Sequence, residues 1–358
     1  MNDGRVSIPT VSRLAAGAGN SAALRSAELQ RRTLLLSRSD VAAVLDADSC
    51  IAAVEDAFRA HAEGRARGPA SLGVMTEEGS FHVKAAGLRS TAGYFAAKTN
   101  ANFPANPARY GLPTIRGVVV LCDDATGRLL ALVDSMEITV LRTAAASAVA
   151  AKYLARPDSR TATLCGCGAQ AAAQLRALAR ILPLRQVYAF DVDTARVTGL
   201  AGDLARDTDI SVEAGNDLGT VLGASDVVVT CTPSHVPFLK RDDIRPGTFV
   251  AAVGADNPTK SEIEPALMAA ATVVVDLLEQ CATSGDLHHA IEACTMTRAD
   301  VHAELADLVT RRKPGRQRPD EITIFDSTGI ALEDVAATRL AYERALATGR
   351  GQPFDFSP

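Results

Sequence analysis

The chain has no tryptophan, and Phe, Tyr and Trp together make up only 4% of its 358 residues. With Ala and Val dominating the apolar class, packed helices on a parallel sheet fit better than an all-β sandwich. No apolar run approaches the ~18 residues that a membrane span needs, so no spanning helix is expected. Positive charge is not in excess: 37 Lys and Arg stand against 42 Asp and Glu, for a net charge of −5. Without a basic block, nucleic acids and membrane surfaces are excluded as partners. The seven cysteines (Cys50, Cys122, Cys165, Cys167, Cys231, Cys281, Cys294) are scattered and odd in number. No C-x-x-C pair is present and no His sits at metal-ligand spacing, so neither a disulfide scaffold nor a metal is expected. Reduced thiols in a cytoplasmic protein are the simplest reading. What remains is an ordinary globular balance, 47% hydrophobic and 22% charged. At ~150 residues per domain, the length suggests two domains.

Residues 1–32 differ from the rest. Arg5, Arg13, Arg25, Arg31 and Arg32 are spread among Ser and Gly with no sustained period. A transit peptide would show such a bias, but no amphipathic Arg-bearing helix stands out, and a disordered extension is expected. Beyond Thr33, Ser39-Asp40 offers an N-cap before Val41–Leu45, and Cys50–Ala62 reads as an amphipathic helix. Short strand-like segments follow at Gly79–Ala85, Gly93–Lys98, Ile115–Leu121 and Leu129–Val133, the last two joined through the turn Asp123–Gly127. The rhythm then changes. A long Ala-rich helix (Ile138–Leu154) precedes strands at Thr161–Cys165, Gln186–Phe190, Asp226–Cys231, Thr248–Val253 and Thr272–Val275. Helices at Gln170–Leu182 and Thr194–Arg206 alternate with them. That alternation implies a doubly wound parallel sheet. After the basic linker Arg311–Pro319, a strand at Glu321–Phe325 and a helix at Ala331–Thr348 are expected to return to the first domain. The fold class expected is therefore α/β: a Rossmann-type domain over residues 138–319, and an α+β domain built from both chain ends, 33–137 and 320–358. No internal repeat is visible.

The run Cys165-Gly166-Cys167-Gly168-Ala169-Gln170 follows a strand and opens a helix. A nucleotide pyrophosphate requires such a glycine turn, which brings backbone N–H groups close at a helix N-terminus. Ala171 replaces the third glycine of the usual fingerprint. Asp191, at the end of the next strand, stands where an acid accepts the adenosine ribose hydroxyls. It would repel a 2′-phosphate and so favours NAD(H); nearby Arg196 leaves NADP(H) open. Cys165 and Cys167 are read as small residues filling a tight corner.

Several separate motifs resemble the ornithine cyclodeaminase/mu-crystallin family over about Thr33 to Thr348. They are Lys98-Thr99-Asn100 with Asn106-Pro107, Gly111-Leu112-Pro113-Thr114, Leu141-Arg142-Thr143-Ala144-Ala145, Gly166–Gln170, Val253-Gly254-Ala255-Asp256 with Lys260, and Phe325-Asp326-Ser327-Thr328-Gly329. The resemblance implies a homodimer whose first domain holds the substrate and the dimer interface, and whose second binds a nicotinamide cofactor. Members oxidise L-amino acids to imines or reduce imines. They include ornithine and lysine cyclodeaminases, an archaeal-type alanine dehydrogenase and imine or ketimine reductases. By this resemblance Lys98 contacts the substrate carboxylate, and Arg142 is shared between carboxylate and cofactor. Asp256 is the catalytic aspartate. Thr114, Thr143, Thr230, Thr232, Lys260, Ser327 and Thr328 make the remaining contacts, with Thr328 reaching the substrate, and the Val253–Asp256 run borders the cofactor.

The residue chemistry is compatible with these roles. An ammonium and a guanidinium fork suit a carboxylate in a dry pocket, and a partly desolvated aspartate at the sheet's carboxyl edge suits proton transfer. Each has a plainer reading: a snorkelling Lys98, a salt-bridged Arg142, and an Asx turn at Asp256 before Asn257-Pro258. His288, His289 and His302 read as solvated helix residues. Arg67 is a candidate second carboxylate-binding arginine.

Cyclodeaminases of the family carry a glutamate where this chain has His82, within Phe81-His82-Val83-Lys84-Ala85. On a strand His82 and Lys84 share a face. If that face is the cleft, a distal substrate ammonium meets like charge, which costs several kcal/mol; if Lys84 faces away, the argument falls. The expected function is NAD(H)-dependent interconversion of a small L-amino acid, alanine or a small acidic one, with its imino or keto acid. The alternative is a cyclodeaminase of ornithine or lysine; the Asn106–Arg109 and Gly111–Thr114 segments also resemble lysine cyclodeaminases. A cofactor-dependent binding protein of the mu-crystallin kind is the third reading.

Overall fold

A computed structural model describes residues 32–356 apart from 90, 91 and 216. The extension expected over residues 1–32 falls outside these, save for its last residue. Strands of the first sheet are β1 (Thr33–Leu36), β2 (Ala66–Met75), β3 (Ser80–Arg89), β4 (Gly93–Asn102), β5 (Ile115–Asp123) and β6 (Leu129–Asp134). The second holds β7 (Thr161–Cys165), β8 (Gln186–Phe190), β9 (Ser211–Ala214), β10 (Val227–Thr230), β11 (Phe249–Ala252), β12 (Thr272–Val275), β13 (Ala303–Glu304) and β14 (Thr323–Asp326). A last strand, β15 (Gln352–Phe354), returns to the first.

Among the described residues the first sheet runs β15-β1-β6-β5-β4-β3-β2 and the second β13-β12-β14-β11-β10-β7-β8-β9. Every neighbour pair in the second sheet is parallel. Its central strands β10, β11 and β14 are buried at every position, as a sheet covered by helices on both faces requires. The first sheet is antiparallel apart from the β1–β6 pair. Its β4 alternates, with Tyr94, Ala96 and Lys98 buried and Phe95 exposed, the period-two pattern of a sheet with one covered face.

The Ala-rich helix spans Ser135–Leu154, and an unbroken run from Arg142 to Ala151 is buried. It packs against helices Ala47–Ala62, Ala171–Ala179 and Ala331–Thr348. A helix buried all round must be apolar all round, and alanine's small side chain lets these neighbours approach from several sides. Asp134 caps its start, accepting from Met136 and Glu137 N–H.

Two expectations are corrected. The strand near Glu321–Phe325 does not rejoin the first domain: β14 lies in the parallel sheet between β12 and β11. Its apolar Ile324 and Phe325 are wholly buried there, and the return begins only after Asp326. The helix Ala331–Thr348 then packs on β3 and β4, and β15 pairs with β1. The first short helix is capped by Ser37, not by Ser39-Asp40: Ser37 and Asp40 bond reciprocally as a capping box, because only that three-residue spacing lets both side chains reach the orphan backbone donors.

Candidate active site

β7 and β10 are neighbours at the centre of the parallel sheet, yet the chain leaves them toward opposite edges. The loops beyond their carboxyl ends therefore diverge and leave a crevice, the place where such sheets bind ligands. In the first loop Gly166 has φ +97°, and a Cβ there would lie 2.9 Å from the Cys231 carbonyl oxygen. Only glycine lets the two loops close on each other. At Gly168 a Cβ would find nothing within 4 Å, so the backbone is open to a ligand. Cys167 N–H donates to Asp191 Oδ2 (2.7 Å) and Asp193 N–H to Asp191 Oδ1 (2.9 Å), which fixes Asp191 beside the turn. Arg196 is turned to Asp193 (3.5 Å). The side-chain oxygen of Gln170 is buried without a hydrogen-bond partner. An open glycine, an orphaned amide oxygen and a carboxylate at the next strand end together fit a dinucleotide. Burial pushes the Cys167 thiol up to about 11 and the Cys165 thiol higher still, which keeps both protonated at the corner.

A cleft of about 270 Å³ continues from this turn to the face of β3 and β4. His82, Lys84, Lys98, Arg142 and Thr143 line it from one side. Ala169, Gln170, Thr232, Val253, Gly254, Asp256, Lys260, Ser327 and Thr328 line it from the other. Gly166, Gly168, Asp191, Thr230 and Ala255 belong to the same loops but do not face the cleft. Thr114 stands outside it, half-buried, with its carbonyl accepting from Phe103 N–H (2.8 Å). Arg67 is also outside: it lies next to the β2 bulge, and its Nη2 is 3.5 Å from Asp124 at the hairpin turn. The irregular register after Arg67 takes it out of the row that faces the cleft.

Across β3 and β4 the register sets Lys84 opposite Lys98 and His82 opposite Asn100. Lys98 Nζ donates to Asp334 Oδ1 (2.8 Å). Arg142 Nε reaches the same oxygen (3.1 Å), and its Nη1 donates to Glu333 Oε2 (2.9 Å). A Cβ on Gly329 would lie 2.3 Å from Arg142 Nη1, so glycine makes room for the guanidinium. Burial lowers Lys98 to about 8 against the pull of Asp334, and burial lifts Glu333 to about 7 against the pull of Arg142. Lys84 Nζ donates to the carbonyls of Thr328 (2.9 Å) and Gly329 (2.7 Å). His82 pairs with Ser80 Oγ (2.9 Å), and its burial, together with the lysines around it, holds it below the usual histidine range.

Asp256 sits at the mouth with its side chain half exposed, 2.7 Å from Lys260 Nζ. Desolvation would raise its carboxyl, but Lys260, then Lys84 and His82, hold it below the usual carboxylate range. His289 donates through Nε2 to the Lys260 carbonyl (2.8 Å), and His288, His289 and Glu292 bring ligand atoms within 4.8 Å of one another.

Three acids escaped the sequence reading. Glu333 and Asp334 anchor the two cations. Glu262 accepts from Thr230 Oγ1 (2.7 Å), Thr232 N–H (2.7 Å), Thr232 Oγ1 (2.7 Å) and Gly254 N–H (3.0 Å). The hydroxyls of Thr230 and Thr232 are thus spent on Glu262, and Ser327 Oγ on Asp276 (3.0 Å). Burial and then the Asp286 charge push Glu262 up toward neutrality. A buried acid far along the chain has no local signature.

Glu262→Gln places an NH₂ group against donors that the carboxylate now satisfies. Leaving them unpaired is expected to cost about 1–3 kcal/mol of folding free energy and to weaken NADH binding. Denaturant midpoints and NADH fluorescence titration check both; an unchanged affinity would show that Glu262 does not order the loops.

The profile of the ornithine cyclodeaminase/mu-crystallin family matches residues 31–349. An alanine dehydrogenase of Archaeoglobus fulgidus is 37% identical over 90% of this chain and 98% of its own. An L-lysine cyclodeaminase of Streptomyces rapamycinicus is 33% identical over 73% of this chain and 75% of its own. Among solved structures, an archaeal alanine dehydrogenase dimer with bound NAD aligns at a TM-score of 0.86 and 36% identity, over 91% of this chain and all of the other. The Delta(1)-pyrroline-2-carboxylate reductase of Thermococcus litoralis, in complex with NADH and L-proline, aligns at 0.86 and 32% identity over 89% and 99%. On fold and sequence alike, the chain belongs to the ornithine cyclodeaminase/mu-crystallin family.

Proposed function

We propose that this protein is an NAD(H)-dependent enzyme that interconverts a small L-amino acid with its imino acid, which water converts to the keto acid and ammonium. The observation that supports this reading is the convergence of Lys98, Arg142 and Asp256 on one cleft that opens onto the glycine turn. NAD, when bound along Gly166–Gln170 and Asp191, supplies the acceptor for the hydride that leaves the substrate Cα. The chain's own groups do the rest. Lys98 and Arg142 receive the α-carboxylate, Lys98 already oriented by Asp334 and Arg142 by Glu333 and Asp334. Asp256, ionised at neutral pH, takes the proton that the amine gives up and then orients water toward the imine carbon. Lys260 holds the Asp256 carboxylate in place. In the reductive direction the same groups return the proton.

The closely related cyclodeaminase chemistry is disfavoured by one feature. His82 and Lys84 both line the cleft, so a distal ammonium would enter against a fixed ammonium instead of an acceptor.

A second copy of the chain is the proposed partner. On the face of the first sheet turned away from its helices, Leu72, Val83, Thr99 and Val118 stand in one row across four strands, beside Val74 and Phe81. Leu72, Val74, Phe81, Phe95 and Val118 are each more than a third exposed. A contiguous apolar face of this kind marks an interaction surface.

With NAD and single L-amino acids, equal amounts of NADH and ammonia are expected, and Asp256→Asn is expected to lower kcat by ~10²–10⁴. Ammonia without NADH, from ornithine or lysine only, would make the enzyme a cyclodeaminase. The pH profile offers a second check. Lys98 must be protonated to hold a carboxylate, so kcat/KM is expected to fall as pH rises through about 8. Asp334→Asn removes the charge that keeps the proton there and is expected to move that limb to lower pH; a limb that stays in place would sink the role of Lys98. Finally, light scattering should give twice the 37.4 kDa chain mass for the native protein and the single mass for Phe81→Glu.

A further inference from the structure

The cations that line the cleft are not equally neutralised. Lys260 is matched by Asp256 (2.7 Å), Lys98 by Asp334 (2.8 Å), and Arg142 by Glu333 and Asp334 (2.9 and 3.1 Å). Lys84 is different. Its Nζ is held by two neutral backbone carbonyls, Thr328 and Gly329, and among the described residues no carboxylate pairs with it. The register places it directly between two features: Lys98 across the strand pair, and His82 two residues along the same face. His82 in turn faces Asn100, whose side-chain oxygen accepts from Ser135 Oγ (2.6 Å), so the amide NH₂ group is the part left for a ligand. One side of the cleft thus offers donors beyond those a single α-carboxylate uses.

Asp256 and Asp334 feel its charge from a distance, but an ammonium with no carboxylate in contact is costly once a cofactor and substrate exclude water from around it. A monocarboxylic amino acid on Lys98 and Arg142 leaves that cost standing. A second carboxylate on the substrate removes it.

We infer that the substrate is a dicarboxylic amino or imino acid of about four carbons, with its distal carboxylate received by Lys84, His82 and Asn100. This rests on the reading of the cleft as an amino-acid site, and it narrows the candidates named above to the acidic ones. Lys84 is then a specificity-determining residue. Its two carbonyl bonds fix the ammonium in place, leaving its remaining N–H for the ligand, and fixing a donor in advance reduces the entropy lost on binding.

Binding of unreactive analogues tests this without turnover. Succinate and butyrate differ by a carboxylate in place of a methyl group. Calorimetry on the NADH-loaded protein is expected to show succinate bound at least ~10-fold more tightly, the gain of one charge-assisted contact. Lys84→Gln is expected to collapse that ratio toward one, with thermal unfolding of the unliganded variant reporting that it is folded. Equal affinities in the native protein, or a ratio that survives in the folded variant, would overturn the proposal. The native comparison decides the matter alone if the variant does not fold. Failure of the broader reading looks different: no NADH forms from any amino acid while the Lys84-dependent preference for succinate persists.

Discussion

Asp334 accepts from Lys98 on one strand and Arg142 on the central Ala-rich helix, and it sits at the start of the helix that carries the chain back to the first sheet. One carboxylate therefore joins three elements that meet nowhere else in sequence. All three groups are buried. Burying two cations and one acid is tolerable only when each is paired, since a partner removed leaves an uncompensated charge in a dry interior. The pairing leaves positive charge in surplus over Asp334 alone, and Glu333 beside it offsets part of this. The cluster thus keeps two cations poised at a cleft without collapsing them onto one another, which is the condition a carboxylate ligand requires.

The loops at the carboxyl ends of the parallel strands obey a similar rule. Buried acids tie them down. Glu262 gathers Thr230, Thr232 and Gly254; Asp286 accepts from the backbone of Glu262 and Ile263; Asp326 accepts from Asp286 and Leu287; Asp276 accepts from Ser327 Oγ and Gly329 N–H. Each of these carboxylates satisfies backbone donors that loops and a helix start would otherwise leave unpaired in the interior. Burial, and then the Asp286 charge, raises Glu262 and Asp326, the latter strongly. The surface at the carboxyl ends of the strands is ordered from beneath, by buried carboxylates.

How much of this was legible varied with locality. The glycine turn, the strands Thr161–Cys165, Gln186–Phe190 and Thr272–Val275, and the helix Ala331–Thr348 stand in the structure at the residues where pattern and punctuation put them. Parallel strands between helices are apolar along their whole length, so their pattern is read without knowing their neighbours. Strand β2 was not legible. It is an edge strand interrupted by Gly68-Pro69 and Gly73 with no buried position, and without a buried face no alternation of apolar residues is imposed on it. Strand β14 was visible as a strand but was assigned to the wrong sheet, because a fully buried apolar run is the same text whichever sheet receives it.

The site followed the same division. Residue types decided what chemistry is possible: a glycine turn for phosphates, a lysine and an arginine for a carboxylate, an aspartate for a proton. Those properties belong to single residues and short segments, so the amino-acid order alone determined them, together with the class of fold. Which way Lys84 points, which cation lacks a carboxylate in contact, that Arg67 is spent at a hairpin and that Glu262, Glu333 and Asp334 order the site were decided only by tertiary structure. The reason is physical. Charge interactions depend on distance and burial, and residues separated by more than two hundred positions, such as Lys98 and Asp334, acquire both only when the chain has folded.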